Sequence, residues 1–135
     1  MKTRKWMAMT VLALAAPIAL AGTVQPQTVT VDLVGMAAQG DMVTARFAPG
    51  NQDFIGCGVR KIDDGAGGVF TIGFCQARNS AGDQILCNTT NADLIGAMES
   101  MGDFSFITFN WNADNECTRI GVSTQSFYIP ELKLK

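Results

Sequence analysis

Residues 70–88 read Phe70-Thr-Ile-Gly-Phe-Cys-Gln-Ala-Arg-Asn-Ser-Ala-Gly-Asp-Gln-Ile-Leu-Cys-Asn88, and this stretch decides the fold. Strand-forming runs flank the turn cluster Asn79-Ser80-Ala81-Gly82-Asp83, the signature of a β-hairpin. Folding about Ala81 sets Cys75 directly opposite Cys87. Cysteines opposed across an antiparallel pair come within disulfide range. A cross-link there would fix the register, so the rest of the chain is expected to organise around this hairpin.

Working outward toward the N-terminus, Phe54 to Ile62 reads as a strand carrying Cys57. The connection Asp63-Asp64-Gly65-Ala66-Gly67-Gly68 reads as a plain turn, because the regular ligand spacing of a calcium loop is missing. Thr28 to Val34 alternates, with Val29, Val31 and Leu33 on one face, as a half-buried strand does. Gly35 to Gly40 reads as a break, Met42 to Phe47 as a short strand or one turn of helix, and Pro49-Gly50-Asn51 as a turn.

Toward the C-terminus, Thr90 is the expected N-cap of a helix, with Asp93 three residues on. Leu94, Ile95, Met98 and Met101 form an apolar stripe at helical spacing that should dock on the sheet, and Gly102 stands at the C-cap position. A second hairpin joins Phe104–Trp111 to Cys117–Ser126 around Asn112-Ala113-Asp114-Asn115. With those four residues as the turn, Ile120 faces Ile107 and Val122 faces Ser105. Ile107, Phe109, Trp111, Ile120 and Val122 then share one face, and Cys117 points to the other beside Asn110. Folding about a single central residue would set Thr108 opposite Ile120 and break the apolar match, so the four-residue turn is preferred. The expected fold is mainly β (β-rich α+β). It is a twisted antiparallel sheet, or a small sandwich or half-barrel, with one short helix and two disulfides.

The chain opens as a targeting signal. Lys2, Arg4 and Lys5 precede the apolar run Met7–Ala16, then Pro17 and the A-x-A site Ala19-Leu20-Ala21. Cleavage would leave residues 22–130 as one domain, with a loose leader at 22–27 and a tail at 131–135. The apolar run is short for a bilayer, so no membrane span is expected after cleavage. Removing the three signal cations moves the net charge from −2 to −5. The remaining cations are dispersed, which argues against nucleic acid as a partner. A monomer is expected.

The chain holds 4 cysteines, Cys57, Cys75, Cys87 and Cys117, and no histidine. An even count behind a signal implies disulfides in an oxidising compartment. Of the three possible pairings, the hairpin register selects Cys75–Cys87 and leaves Cys57–Cys117. No metal site or cofactor is expected, because the cysteines are widely spaced and no histidine accompanies them.

The segments Ile55-Gly56-Cys57, Cys75-Gln76-Ala77-Arg78-Asn79-Ser80-Ala81-Gly82, Cys87, Phe109-Asn110-Trp111 and Cys117-Thr118-Arg119-Ile120 resemble, in this order, a set of small secreted four-cysteine proteins of Gram-negative bacteria. The likeness spans about residues 42–130. It implies a periplasmic or extracellular bacterial protein and brings no activity with it. The chain departs from that set in lacking a tyrosine-rich first strand.

Without histidine, serine–histidine and cysteine–histidine nucleophiles are excluded, and cysteines held in disulfides leave no thiolate. The carboxylate pairs Asp63/Asp64 and Asp114/Glu116 fall in turns, where acids are common because they are solvated. Asn88-Thr89-Thr90 fits a glycosylation acceptor, but leading a strand into a helix cap explains it better. No catalytic residue is assigned. The expectation is a non-enzymatic exported domain, a binding or structural accessory at the envelope with a protein or glycan partner. Its candidate surface is Asp63, Asp64, Asn112, Asp114 and Asn115, with Trp111 as anchor if exposed and core otherwise. The alternatives are a small hydrolase using Asp114 and Glu116, or an inhibitor of an exported hydrolase.

Overall fold

A computed structural model of the chain describes residues 22–130. The expected signal at 1–21 and tail at 131–135 lie outside the described residues. Seven strands form two antiparallel sheets. Strands β1 (Thr30–Asp32), β2 (Ala37–Asp41), β3 (Phe54–Asp63), β4 (Val69–Arg78), β5 (Gln84–Thr89), β6 (Ser105–Trp111) and β7 (Cys117–Thr124) are joined by helices α1 (Met42–Arg46) and α2 (Ala92–Glu99). One sheet has the order β1-β2-β6-β7 and the other β3-β4-β5. The mainly β expectation holds, in its sandwich form.

The two inner faces supply one core. Strand β6 sets the pattern: Ser105, Ile107, Phe109 and Trp111 are buried and the residues between them half-buried. The Phe109 and Trp111 rings lie 5.9 Å apart on that face. Ile55, Cys75, Ala77 and Cys87 face them from the other sheet. Ile95 and Met98 of α2 are also buried. They lie over Gly73 of β4, where a Cβ would meet the Met98 Sδ at 2.5 Å.

The central hairpin has the expected register, with Cys75 opposite Cys87. The expected disulfides are not formed. Cys57 also lies directly opposite Cys75, on the other flank of β4. The bonds are Cys57–Cys75 and Cys87–Cys117. Reading the glycine-rich connection at 63–68 only as a link left β3 without a register, so this third cysteine in the row was missed.

The second hairpin explains why Cys117 is available. Its turn does centre on one residue, Asp114, so that Trp111 pairs with Cys117. A β-bulge then inserts Thr118, and beyond it Ile120 pairs with Phe109 and Val122 with Ile107. An extra residue on one strand reverses the inward–outward alternation. The bulge keeps Ile120 and Val122 with the apolar side chains of β6 and swings Cys117 inward, where it is 4% exposed. The expected outward Cys117 is therefore corrected, as is the Ile120–Ile107 pairing.

Four local expectations also change. Residues 37–41 form a strand between β1 and β6 rather than a break. Leu33 and Val34 are 49% and 93% exposed, because the chain turns at Asp32, whose Oδ1 accepts from the Val34 and Gly35 amides at 3.0 and 2.8 Å. Asn91, not Thr90, caps α2, its Oδ1 accepting from the amides of Asp93 and Leu94 at 2.9 and 3.2 Å. Gly102 does not cap that helix, which ends at Ser100; it exchanges hydrogen bonds with the Ser105 hydroxyl.

The leader is tied down rather than loose. The Gln27 carbonyl accepts from the Asp41 amide at 2.9 Å. The Gln27 amide donates to Asp41 Oδ2 at 2.5 Å. Asp41, 1% exposed, also caps α1 by accepting from the Thr44 amide and hydroxyl, both at 2.6 Å.

Candidate functional site

The candidate loops at 63–68 and 112–115 share one construction, and the 79–83 turn has it too. In each, a five-residue segment opens with Asp or Asn: Asp64–Gly68, Asn79–Asp83 and Asn112–Glu116. The first amide donates to the fifth carbonyl at 3.0, 3.1 and 3.0 Å. The first side chain accepts from the fifth amide at 2.9, 3.0 and 2.9 Å. The fourth residue is left-handed, with φ of 90° at Gly67, 93° at Gly82 and 58° at Asn115. This is the three-residue hairpin loop with a bulge, which needs a residue tolerant of positive φ at that position.

Most of the polar groups read as a binding surface are thus occupied in shaping their own turns. Asp63 Oδ1 accepts from the Gly65 amide at 2.7 Å. Asp64 Oδ1 accepts from the Ala66 and Gly68 amides, and these two donors hold its carboxyl below the ordinary carboxylate value. Asn112 accepts from the Asp114 and Glu116 amides and donates to Glu116 Oε2 at 2.8 Å. The side chains of Asp114 and Asn115 remain exposed. Trp111 is 7% exposed and packs in the core, so it is not a surface anchor.

The carboxylate pair Asp114/Glu116 is not enclosed. A polar depression of about 530 Å³ beside the Cys87–Cys117 bond is lined by Glu116, Asn88, Thr90, Asn91 and Thr118, without Asp114 and without Trp111. A hydrolytic pair flanks its substrate from two sides with one acid held protonated. Here both acids sit on one solvated turn. Among the described residues no group of three histidine, cysteine or acidic side chains is placed to hold a metal ion.

Two apolar depressions flank α1. One of about 630 Å³ lies between Val24, Pro26 and Phe127–Pro130. The other, about 590 Å³, lies against Phe54, Ile55 and Phe104. Val43, Phe47, Asp53 and Pro130 line both. No signal in the sequence marked this region, because its walls come from five separated segments. A further surface was also missed: the outer face of the three-stranded sheet, where Ile62, Phe70 and Leu86 are 40%, 51% and 47% exposed.

Among the described residues no helix is long and apolar enough to cross a membrane. No family model, curated protein or solved structure matches the chain.

Proposed function

We propose that the protein is an exported, non-enzymatic domain that binds a protein or glycan partner, or serves as a structural accessory, at the envelope of a Gram-negative bacterium. One observation carries the choice of binding over hydrolysis: Glu116 lines a depression that contains neither Asp114 nor Trp111. The carboxylates that a hydrolase would need are therefore not gathered around a substrate-sized space. Two disulfides accord with an oxidising compartment. Inhibition of an exported hydrolase is a narrower form of the same reading.

The test uses the mature, oxidised protein as bait for envelope extract, with intact-mass measurement of the exported product to establish cleavage after Ala21. A recovered partner whose capture survives Asp114→Ala and Glu116→Ala supports the reading. An extract that yields nothing, combined with a polysaccharide or peptide turnover abolished by Asp114→Ala, would sink it.

A further inference from the structure

We propose that the outer face of the β3-β4-β5 sheet is a docking surface for a protein segment that presents apolar side chains flanked by carboxylates. The inference rests on the binding reading above and names the surface and the chemistry of the partner.

Strand β4 is apolar on both sides. Gly73, Cys75 and Ala77 point into the sandwich and are buried. Phe70, Ile72 and Phe74 occupy the alternate, outward positions. Strands that read as continuous apolar runs are those covered on both faces. Among the described residues, α2 and the other sheet cover only the inner face. On the outer face, Ile62 pairs beside Phe70, and Leu86 of β5 continues the patch next to Gln76. Gly58 sits opposite Phe74 and keeps the face flat: a Cβ there would meet the Phe74 ring at 2.8 Å.

The charges on this face have one sign. The outward strand positions carry Arg60, whose guanidinium lies 5.0 Å over the Phe74 ring, and Arg78, whose Nη2 donates to the Gln52 Oε1 at 3.1 Å while its Nε is buried without a partner. No outward position within the three strands is acidic, although acids outnumber lysine and arginine by 12 to 10 in the chain. At the hairpin tip, the Asp63 and Asp64 carboxyl groups accept from their own turn amides. An apolar face fenced by two arginines complements apolar residues flanked by Asp or Glu.

A second copy is a poorer occupant. It would bring the arginine-bearing face against itself. From strand rise and spacing the patch covers roughly 400 Å², against about 800 Å² per partner in a standard stable interface. A single helix or strand of a partner suits that size.

The test titrates the mature, oxidised protein into two labelled fourteen-residue amphipathic peptides, one built from leucine and glutamate and the other from leucine and lysine, read by fluorescence anisotropy. The leucine–glutamate peptide should bind at least tenfold more tightly. Phe70→Ser and Arg60→Glu should each weaken it about tenfold, and Arg60→Lys should restore most of the loss. Thermal unfolding of each variant checks that the fold is retained, and Leu86→Ser, at the opposite end of the patch, stands in for Phe70→Ser if that variant does not fold. Equal binding of the two peptides, or indifference to Arg60→Glu, overturns the proposal. So does a dimer in sedimentation equilibrium that Phe70→Ser dissociates, since the face would then be closed by a second copy. An envelope partner still captured by the Phe70→Ser/Arg60→Glu variant overturns this surface while leaving the binding function standing.

Discussion

Cys75 and Cys87 face each other across β4 and β5, and they are not bonded to one another. Cys75 stands in a central strand with a cysteine on each flank, and its sulfur goes to Cys57. Cys87 is left to bond to Cys117, at an edge where β5 lies beside the start of β7 and the Asn88 amide donates to the Asn115 carbonyl at 3.0 Å. The first bond joins neighbouring strands that backbone hydrogen bonds already hold. The second joins the two sheets, which beyond that one backbone link are held together mainly by side-chain packing.

The two disulfides should therefore differ in their effect on stability. Their sequence separations are 18 and 30 residues. Loop-entropy scaling gives about 3.2 kcal/mol for Cys57–Cys75 and about 3.6 kcal/mol for Cys87–Cys117. Cys87 and Cys117 are also 0% and 4% exposed, so truncating them opens space in the core. Replacing Cys87 and Cys117 together by Ala should lower the urea midpoint more than replacing Cys57 and Cys75. Non-reducing peptide maps should show a Cys57–Cys75 and a Cys87–Cys117 peptide. A Cys75–Cys87 peptide would contradict the arrangement.

The shared turn makes a prediction about single residues. Gly82 has φ of 93° with open space around its Cβ position, so Gly82→Ala should destabilise through backbone strain alone, by about 1 kcal/mol. Gly82→Asn should cost less, because Asn115 already holds the equivalent position at φ 58°. Asn115→Gly should be within about 0.5 kcal/mol of the parent, and Asn115→Ala should lose about 1 kcal/mol. Equal chemical-denaturation curves for Gly82→Ala and the parent would remove the turn assignment from the argument.

How far the sequence was legible follows from where each signal resides. The 70–88 hairpin was readable to the residue, because its turn chemistry and its strands agree and the loop is short. The same five-residue pattern lay unread at 64–68 and 112–116. At 112–116 the apolar match of Ile107 and Phe109 with Ile120 and Val122 appeared to demand an even-numbered turn. A bulge at Thr118 satisfies both the turn and the match, and nothing local to Cys117-Thr118-Arg119 announces it. Strand β2, AAQGD, is composed of poor strand formers. It is a strand because β6 pairs with it and because Val29 crosses close above it: a Cβ on Gly40 would lie 2.9 Å from Val29 Cα. Such a strand is specified by its neighbours. The apolar outer face of β4 was visible as the run Val69–Cys75, but a run of that kind does not say from sequence alone which of its faces stays uncovered.

Acid should register at one identifiable turn. The Ala66 and Gly68 amides lower the Asp64 carboxyl below its ordinary value. Bonds to the ionised form stabilise the folded state above the unfolded carboxylate value, about 3.9. That contribution is lost as pH falls through the lower folded value. The Asp64 side-chain carbon resonance should titrate with a midpoint below the ordinary carboxylate value. Asp64→Asn should shift unfolding at neutral pH and make no difference at the acid end. A midpoint at or above the ordinary carboxylate value would show that the turn amides do not favour the charged form.

Asp41 is where the leader, β2 and α1 meet. Its carboxyl group accepts from the Gln27 amide, the Thr44 amide and the Thr44 hydroxyl, and it is 1% exposed. A helix of five residues does not persist alone, so α1 depends on this cap and on Ala45 packing into the core. Asp41→Ala removes all three bonds that the carboxyl group accepts and leaves the two backbone donors without that partner. The expected loss is about 3 kcal/mol, from the usual cost of deprived buried donors together with a lost helix cap. Asp41→Asn retains one carbonyl oxygen for the Thr44 amide, and the Thr44 hydroxyl can rotate to accept from the new amide. The Gln27 N–H cannot reverse its role and loses its partner, so the Asn variant should lose less, about 1–2 kcal/mol. Hydrogen exchange distinguishes the two: Gln27 should lose protection in both variants, whereas Thr44 should lose it only in Asp41→Ala. Retained protection at Gln27 in Asp41→Asn would mean that the leader is held by its other bonds, from Gln25 to the Phe127 carbonyl and from the Asp41 amide to the Gln27 carbonyl, rather than by this carboxyl group.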